Sequence, residues 1–325
     1  MGSIELHILQ CLIIDGRMPL RRIGEVVGVS EQTVSRRYRA MRDAGQVRVH
    51  AVRSGFTATR QAWTVRIQSR PDSAEALADA LANRDDTGWI ALTSGGSEVV
   101  CATSGPVGSS GEGVLRRLPH TGAVLNFSAQ AMLRAFAGAV DEWTMFDTAL
   151  TTLQAAELRA AARHRRHAGT EAITDADAPL VAALARDGRA TAADLARGLD
   201  WPVSRVAGRL DALLGGALYV LTDHLPETFG YHASAMMCLT VSPGRVVDVC
   251  ETLAGHRPTG FVTATTGSAN VMATVTCRSQ DDLFTYVTEQ VGALPGVLQL
   301  DLLPYLRRVK QGGSRVVDGR LVAPT

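Results

Sequence analysis

The chain contains an internal duplication, and this feature limits what it can fold into more than any other. When the sequence is compared with itself at a shift of 172 positions, Asp15-Gly16-Arg17 falls on Asp187-Gly188-Arg189. Further identities follow at the same shift without a gap: Val34 with Val206, Arg37 with Arg209, Pro71 with Pro243, Gly88 with Gly260, and Gly95 with Gly267. One constant shift across about 80 residues indicates two copies of a unit the size of a small protein, and not a solenoid of short repeats.

The bulk composition restricts the class of protein. Hydrophobic residues make up 46% of the 325 residues and charged residues 20%, which is typical of soluble globular domains. No apolar run approaches the roughly 18 residues of a membrane span, and the first ten residues lack the features of a secretory signal. The five scattered cysteines form no C-x-x-C pair, which argues against a zinc site. We therefore expect a cytoplasmic protein with no membrane partner, metal or cofactor.

Each copy begins with helical periodicity. In the first copy a stripe of leucine and isoleucine predicts a helix that ends near Asp15-Gly16, and a second helix begins at Pro19. Ser30 is a good N-cap for a third helix that runs to about Ala44. The stretch "QVRVHAVRS" (46–54) then predicts a strand pair, or wing.

The pattern changes after residue 60. "QAWTVRIQ" alternates as a strand, "SAEALADALAN" is an amphipathic helix, and a hairpin turns at Gly95-Gly96. A helix near 112–118 and a strand from Val124 complete a β-α-β-β-α-β order, and the second copy repeats it. This order is typical of the ferredoxin-like motif.

The predicted fold class is α+β, with two tandem units that each contain a winged helix-turn-helix domain followed by a ferredoxin-like βαββαβ domain. The expected boundaries are 1–55 for the first helix-turn-helix, 60–140 for the first ferredoxin-like domain, 141–176 for a helical linker, 177–228 for a second, degenerate helix-turn-helix, 232–310 for the second ferredoxin-like domain and 311–325 for a C-terminal tail.

The first three helices satisfy the demands of a helix-turn-helix. Gly28 provides the residue that tolerates positive φ in the turn, and Gly24 provides a small residue where two helices touch. Val34, Tyr38 and Met41 form an apolar stripe that docks the third helix.

The opposite face of the third helix carries hydroxyl, amide and guanidinium groups, which are the side chains that contact phosphates and base edges. A solvated basic helix in a plain bundle is the alternative, but this basic face coincides with all three structural demands, which favours DNA binding. The residues predicted to contact DNA are Ser30, Gln32, Thr33, Ser35, Arg36, Arg37, Arg39 and Arg42.

The two copies differ in charge. Residues 17–60 contain ten arginines and three acidic residues, a net charge of +7, whereas residues 186–229 contain five arginines and six acidic residues, a net charge of −1. Phosphate contacts supply most of the affinity for DNA, so we expect the second copy to fold without binding DNA well. The substitutions in the second copy are Asp200 for Gly28, Gly208 for Arg36, Asp211 for Arg39 and Leu214 for Arg42.

A DNA-binding head followed by a ferredoxin-like module resembles the Lrp/AsnC (feast/famine) transcription regulators. The resemblance is carried by "ILQCLIIDGRMPLRRIGEVVGVSEQTVSRRYRAMRDAGQV" and by the stretch from "FGYHASAMMCLTV" to "GALPGV". It implies a regulator that binds promoter or operator DNA, forms homodimers or larger assemblies, and has ferredoxin-like modules of the RAM type. It also implies a small effector, such as an amino acid, in clefts between these modules.

The glycine-containing hairpin loops are the candidate effector site. "TGSAN" (266–270) is similar to the family's turn of Gly, two residues and an acid, although Asn270 stands where the acid is expected. An alternative is that these loops need glycine for backbone reasons alone. The candidate effector residues are Thr93, Gly95, Gly96, Glu98, Thr266, Gly267, Ser268 and Asn270.

Two other functions have to be weighed. Sirohaem decarboxylases resemble the same family and can also occur as fused pairs, but their His-Asn-Tyr-Glu-Arg run and Asn-Leu-Trp-Phe strand are absent from "FVTATTGSANVMATV". A co-regulator that oligomerises without binding DNA is the other alternative. The sequence favours a regulator that is not an enzyme.

Overall fold

The computed structural model describes residues 3–53, 60–70, 72–106, 113–137, 150–166, 169 and 171–323. The helices are α1 Ser3–Ile14, α2 Leu20–Val27, α3 Glu31–Asp43, α4 Ala74–Ala82, α5 Val114–Arg117, α6 Thr152–Arg166, α7 Ala178–Arg186, α8 Ala192–Leu199, α9 Val203–Leu213, α10 Val246–Gly255 and α11 Gln280–Thr285, which continues as a π-helical segment, Tyr286–Val291.

The strands follow the duplicated order. They are β1 Val47–Arg53, β2 Arg60–Ser69, β3 Thr87–Thr93, β4 Glu98–Pro106, β5 Val124–Ala137, β6 Leu218–His224, β7 Ala233–Val241, β8 Thr259–Thr265, β9 Val271–Cys277, β10 Val297–Pro304, β11 Arg307–Gln311, β12 Ser314–Val317 and β13 Arg320–Val322.

The chain forms two compact units that are not continuous in sequence. The head unit comprises Met1–Ser54, Phe146–Leu225 and Gly312–Thr325, and the barrel unit comprises Gly55–Met145 and Pro226–Gln311. The head unit contains head one (α1–α3 and β1) and head two (α7–α9 and β6). Each copy of the duplication therefore contributes one part to each unit.

The turn of head one forms as its sequence predicts. Gly28 ends α2 in the left-handed region, with φ 77°. Gly24 is buried at the contact between the helices, where a Cβ would lie 2.6 Å from the carbonyl oxygen of Val29. In head two the residue that takes the place of Gly28 is Asp200, which adopts the same left-handed conformation with φ 54°.

The two heads share one β-ribbon. β1 pairs antiparallel with β6, with Val47 opposite His224 and Val52 opposite Tyr219. Because Tyr219 and His224 are the positions 172 residues after Val47 and Val52, the register has the self-complementary form of a two-fold interface. The predicted strand pair within 46–54 is therefore wrong: each head supplies one strand, and its partner is the strand of the other head.

The barrel unit contains two ferredoxin-like modules. Module one has the strand order β5-β2-β4-β3 and module two the order β10-β7-β9-β8, and β5 pairs with β8. β5 is long enough to pair with β2 through its first half and with β8 through its second half. In module two the corresponding segment is broken at Tyr305-Leu306: β10 pairs with β7, and β11 continues onto β3. This second crossing closes the strands into a barrel.

Helices cover the outside of the barrel, and apolar side chains fill it. One core lies beneath α4 and α5 in module one, and another beneath α10 and α11 in module two. A third cluster comes from strands of both modules and comprises Ala62, Val100, Met132, Met236, Cys238, Met272 and Leu303. Alternate residues of these strands therefore face the helices and the barrel interior.

Three further predictions can be compared with the described residues. The predicted linker 141–176 includes α6. This helix packs on α1, and its Leu158 and Ala162 are buried. The predicted helix near 112–118 is observed as α5, which begins at Val114. Residues 107–112 lie outside the described residues. The segment 311–325, expected to be a tail, contains the paired strands β12 and β13. Among the described residues, no helix has both the length and the apolar character needed to cross a bilayer.

Candidate nucleic-acid interface

The recognition helix α3 is fixed by its apolar stripe and by its cap. Val34, Tyr38 and Met41 are buried, and the Ser30 hydroxyl accepts a hydrogen bond from the backbone N–H of Thr33 at 3.2 Å. A capped helix with a buried stripe holds its opposite face in one orientation. Ser30 and Thr33 therefore form the cap of α3, which orients the other residues predicted to contact DNA.

The opposite face of α3 is open to solvent. Gln32, Arg36 and Arg39 are exposed, and Arg39 lies 3.5 Å from the Ser35 hydroxyl. Among the described residues Arg36 has no hydrogen bond or ion pair, so its guanidinium is available to a ligand. This is the arrangement that direct contact with base edges in a major groove requires.

Arg37 has a partner inside the head. Its Nη1 lies 2.8 Å from Oε1 of Glu5, a buried carboxylate of α1. At the matched positions of head two, Arg209 lies 2.8 Å from Asp177 and also pairs with Glu171. The hydrogen bonds from Arg209 lower the pKa of Asp177 to about 2. The duplication has therefore retained an arginine–carboxylate pair that joins the recognition helix to α1 in head one and to the N-cap residue of α7 in head two.

The recognition helix of head two, α9, presents different chemistry. Its cap position is Pro202, which makes no side-chain cap. The guanidinium of Arg205 stacks on the Trp201 ring at 3.8 Å. Gly208 and Asp211 occupy the positions matched to Arg36 and Arg39. This face therefore lacks counterparts of the two exposed arginines of α3, Arg36 and Arg39.

Reciprocal hydrogen bonds reinforce the ribbon between the heads. Arg17 donates to the carbonyls of Gly188 and Ala190, at 2.5 and 3.1 Å. Arg189, its equivalent 172 residues later, donates to the carbonyls of Gly16 and Met18, at 2.5 and 2.9 Å. Together with the ribbon register, these contacts relate α3 to α9 by a pseudo-two-fold axis.

One buried polar cluster breaks this symmetry. His50 Nε2 lies 2.6 Å from Oδ2 of Asp223, and the Ser314 hydroxyl donates to the same carboxylate oxygen at 2.6 Å. Arg48 donates to Ser314 Oγ at 2.9 Å and to the carbonyls of Ala185 and Arg186. The matched positions in the other copy are Val220, Thr222 and Ala51, which cannot build the same cluster. This cluster attaches β12 to the ribbon.

The first candidate effector loop lies in module one of the barrel unit. Thr93 and Glu98 are buried, whereas Gly95 is exposed. The Glu98 carboxylate accepts bonds from Arg66 Nε at 2.8 Å and from the Ser94 hydroxyl at 2.9 Å. Nη1 of the same Arg66 guanidinium donates a hydrogen bond to Oδ2 of Asp301 in module two at 2.8 Å. Glu98 is therefore held by the chain itself, in an ion network at the seam between the modules.

The second candidate loop has the same position in module two. Asn270 accepts from the Val241 N–H at 2.8 Å and donates to the Val241 carbonyl at 2.7 Å, so its amide links two strands. Thr266, Gly267 and Ser268 are exposed. A Cβ at Gly267 would lie 3.2 Å from the Gln130 side chain of module one. Like Gly96, which approaches Leu306, this loop lies where the two modules meet.

Family comparisons agree with both parts of this architecture. Residues 1–42 match the AsnC-type helix-turn-helix domain, which corresponds to head one. Residues 244–317 match the PF0864 C-terminal dimeric alpha+beta barrel domain, which covers most of module two. The resemblance of the chain to the Lrp/AsnC family is thus confirmed at both domains, in a duplicated form in which one chain supplies both halves of the barrel.

Two relatives of the chain are about half as long as it is. An uncharacterized HTH-type transcriptional regulator of Pyrococcus furiosus is 27% identical over 41% of this chain and 91% of its own length. A protein of the same description from Pyrococcus abyssi is 23% identical over 46% of this chain and 96% of its own length. These matches support a DNA-binding transcription regulator, and their lengths agree with the duplication.

A solved structure resembles nearly the whole chain. The siroheme decarboxylase NirDL, in co-complex with an iron-uroporphyrin III analogue, superimposes with a TM-score of 0.56 and 15% identity over 95% of this chain and 93% of that one. At this identity the likeness concerns the fold alone. It confirms an α+β fold in which tandem heads and tandem ferredoxin-like modules occur in one polypeptide.

The described residues suggest no metal centre. No group of three or more His, Cys, Asp or Glu side chains in this part of the chain could hold an ion. All five cysteines are buried and unpaired, and burial raises the pKa of Cys11 to about 12 and that of Cys238 to about 11. Thiols with such pKa values remain protonated near neutral pH and are poor nucleophiles.

Sequence reasoning missed the contacts that join the heads. Arg17 and Arg189 were visible as a repeated Asp-Gly-Arg, but their bonds run between the copies and leave no local pattern. The pairs of Arg37 with Glu5 and of Arg209 with Asp177 had a detectable signal, because both partners recur at the same shift. The contribution of residues 312–323 to the head unit had no such signal.

Proposed function

We propose that this chain is a sequence-specific transcription regulator of the Lrp/AsnC type that contacts DNA with head one, while head two acts as a fixed brace. The observation that carries the proposal is the unequal pair of recognition helices. They are related by a pseudo-two-fold axis, yet Arg36 and Arg39 of α3 are matched by Gly208 and Asp211 of α9.

The physical reason is the dependence of DNA binding on cations. Each arginine that neutralises a phosphate releases counterions, and each bidentate contact to a guanine adds about 1 to 3 kcal/mol of discrimination. Of the proposed contacts, Arg36 and Arg39 meet base edges, and Gln32 and Ser35 lie beside them. Arg42 approaches the phosphate backbone of the DNA. Ser30 and Thr33 form the cap at the start of α3. Arg37 is paired with Glu5 but remains exposed, so it can also contact DNA.

A two-fold operator needs two competent heads, separated by about 34 Å or a multiple of that distance. One chain supplies one such head. We therefore infer that chains associate at least as dimers on DNA, and that head two keeps head one in a fixed orientation through the ribbon and the reciprocal arginine contacts. Light scattering of the free and DNA-bound protein tests this inference, and full operator affinity in a strictly monomeric protein would refute it.

The barrel unit provides the proposed effector site at its two seams. The exposed loop residues Gly95, Thr266 and Ser268 are accessible, and Gly96 and Gly267 allow close approach of the neighbouring module. Thr93, Glu98 and Asn270 would support these loops from behind. A small metabolite such as an amino acid is the proposed ligand. A change in operator affinity on adding individual amino acids tests this part.

The decisive experiment selects DNA from a random library with the full chain and then measures affinity as a function of salt. A gain-of-function variant sharpens it: Gly208→Arg with Asp211→Arg places arginines at the two matched positions of α9. A Cβ at Gly208 meets no atom within 4 Å, so the longer side chain has room. We expect about ten-fold tighter binding to DNA with an added half-site, and a steeper salt dependence.

The same preparation tests the alternatives. Absent or salt-insensitive binding to all selected DNA would support a co-regulator that does not contact DNA. Loss of carboxylate groups from added sirohaem would support an enzyme like the neighbour of the same fold.

A further inference from the structure

The C-terminal hairpin is attached firmly to the head unit. β12 and β13 pair from Arg315 opposite Val322 to Val317 opposite Arg320, and Asp318 and Gly319 form a tight turn with φ 49° and 69°. Ser314, at the start of the hairpin, is buried and bonds both Arg48 and Asp223. The hairpin therefore has a fixed position on the ribbon side of head one.

The free end of this hairpin lies at the carboxyl end of the recognition helix. The Leu321 N–H donates to the Gly45 carbonyl at 2.7 Å, and Arg320 Nη2 donates to the Asp43 carbonyl at 2.6 Å. Gly45 has φ 68°, and a Cβ there would lie 2.8 Å from the Cβ of Arg320. Glycine at this position thus allows the close approach of the two segments.

Asp43 continues the DNA-facing stripe of α3. Gln32, Arg36, Arg39 and Asp43 are spaced by four, three and four residues, which places them on one helix face, and Asp43 lies about 6 Å beyond Arg39. The exposed carbonyls at a helix end carry about half a negative charge, and the Asp43 carboxylate adds to it. Without compensation, this end of the stripe would repel a phosphate.

Two arginines reverse the sign of the charge at the carboxyl end of α3. Arg42 forms an ion pair with the Asp43 carboxylate at 3.2 Å, and Arg320 bonds the Asp43 carbonyl. Arg320 is exposed and uses Nη2 in its bond to α3; within the part of the chain that the structure describes, its Nη1 and Nε have no partner and are left for another ligand. A guanidinium with free donors on the extended stripe of a recognition helix suits a phosphate group.

We propose that the C-terminal hairpin is a DNA-contacting wing of head one and that Arg320 binds a phosphate of the operator backbone. This inference rests on the proposed function of α3. The wing that the sequence predicted within 46–54 is used in the ribbon, and the hairpin from the other end of the chain takes the place beside the recognition helix. Because the ligand is a phosphate, the contact raises affinity without selecting a base.

The test replaces Arg320 in the full chain and measures affinity for the selected operator between 50 and 200 mM salt. Arg320→Gln keeps an amide donor for the Asp43 carbonyl but removes the charge, and Arg320→Lys keeps the charge. We expect Arg320→Gln to weaken binding about three- to ten-fold, equally for operator and random DNA, and to reduce the salt slope by about 0.9. Arg320→Lys should retain most of the affinity and the slope.

Two comparisons make the result decisive. Arg197→Gln removes an exposed arginine from head two and should leave affinity and slope unchanged. The inference is overturned if Arg320→Gln binds like the wild type, or if Arg320→Lys loses as much affinity as Arg320→Gln. Arg36→Ala, measured in parallel, reports on the proposed function itself: a loss there without a loss at Arg320 rejects the wing alone, whereas no loss at Arg36 rejects contact through α3.

Discussion

Head one and head two have the same scaffold and different surfaces. Both contain a left-handed residue in the turn, at Gly28 and Asp200, and both place an arginine against a carboxylate at the first helix, within α1 in head one and at the N-cap of α7 in head two. One arginine of each head, Arg17 or Arg189, also donates hydrogen bonds to backbone carbonyls of the other head. The differences are concentrated on the outward face of the recognition helix. The two copies have therefore kept the contacts that maintain the fold and the head–head joint, and have diverged where a ligand would bind.

The largest expected effect tests the divergent face directly. Arg36→Ala combined with Arg39→Ala should weaken operator binding by about 3 kcal/mol, roughly a hundred-fold, because two cationic contacts to DNA are lost. Fluorescence anisotropy with labelled operator gives the affinity. Asp211→Ala, at the position matched to Arg39, is the control and should bind equally well or slightly better. Equal losses at both heads would mean that head two also contacts DNA.

The retained ion pairs give the next largest effect. Arg209→Ala leaves the buried Asp177 carboxylate without its main partner, and we expect the free energy of unfolding of the head unit to fall by about 2 kcal/mol. Urea unfolding followed by circular dichroism measures this change. DNA affinity under native conditions should be unchanged, which separates this arginine from Arg36.

The same pair predicts a dependence on pH. Since the folded-state pKa of Asp177, about 2, lies below its unfolded value of about 4, its contribution is complete above pH 4 and is lost as the pH falls towards 2. The difference in stability between the wild type and Arg209→Ala should therefore shrink below pH 4. A difference that stays constant down to pH 2 would contradict the assignment of this pair.

The reciprocal contacts predict a smaller and symmetric effect. Arg17→Ala and Arg189→Ala each remove two hydrogen bonds to carbonyls of the other head, which should cost about 1 to 2 kcal/mol apiece. Thermal unfolding of the two single variants and of the double variant measures the costs and their coupling. Clearly unequal costs would show that the pseudo-two-fold relation does not extend to the energetics.

The smallest effect concerns the turns. Asp200→Gly should stabilise head two by a few tenths of a kcal/mol, because glycine adopts positive φ with less strain, although it also increases the entropy of the unfolded chain. Gly28→Asp in head one should cost a similar amount. Denaturant midpoints compare the pair, and a gain from aspartate at position 28 would contradict this explanation.

Local signals made much of each copy predictable from sequence. Ser30 caps α3, Gly28 ends α2 in the left-handed region, and Val34 belongs to the buried stripe, as the sequence predicts. These features depend on neighbours within a few residues, so a sequence window contains the information they need. The same holds for the β-α-β-β-α-β order of both modules, which the structure confirms.

The failures concern partners that lie far apart in sequence. The strand within 46–54 was correctly expected to be extended, but alternation of side chains cannot specify whether its partner is adjacent or 172 residues away. The same limitation hid the pairing of β11 with β3 and the return of β12 and β13 to the heads. For the candidate site, exposure of Arg36 and Arg39 followed from helical periodicity, whereas the position of Arg320 did not.

The sequence by itself determined that the chain has two copies, that each contains a helix-turn-helix and a ferredoxin-like module, and that only the first head is strongly basic. Repetition, periodicity and charge are properties of the order of residues. Only the tertiary structure decided that the heads share one ribbon, that the modules close one barrel, and that the last strands lie at the end of α3. These contacts depend on backbone hydrogen bonds and buried side chains between distant segments, which become specific only when the chain is folded.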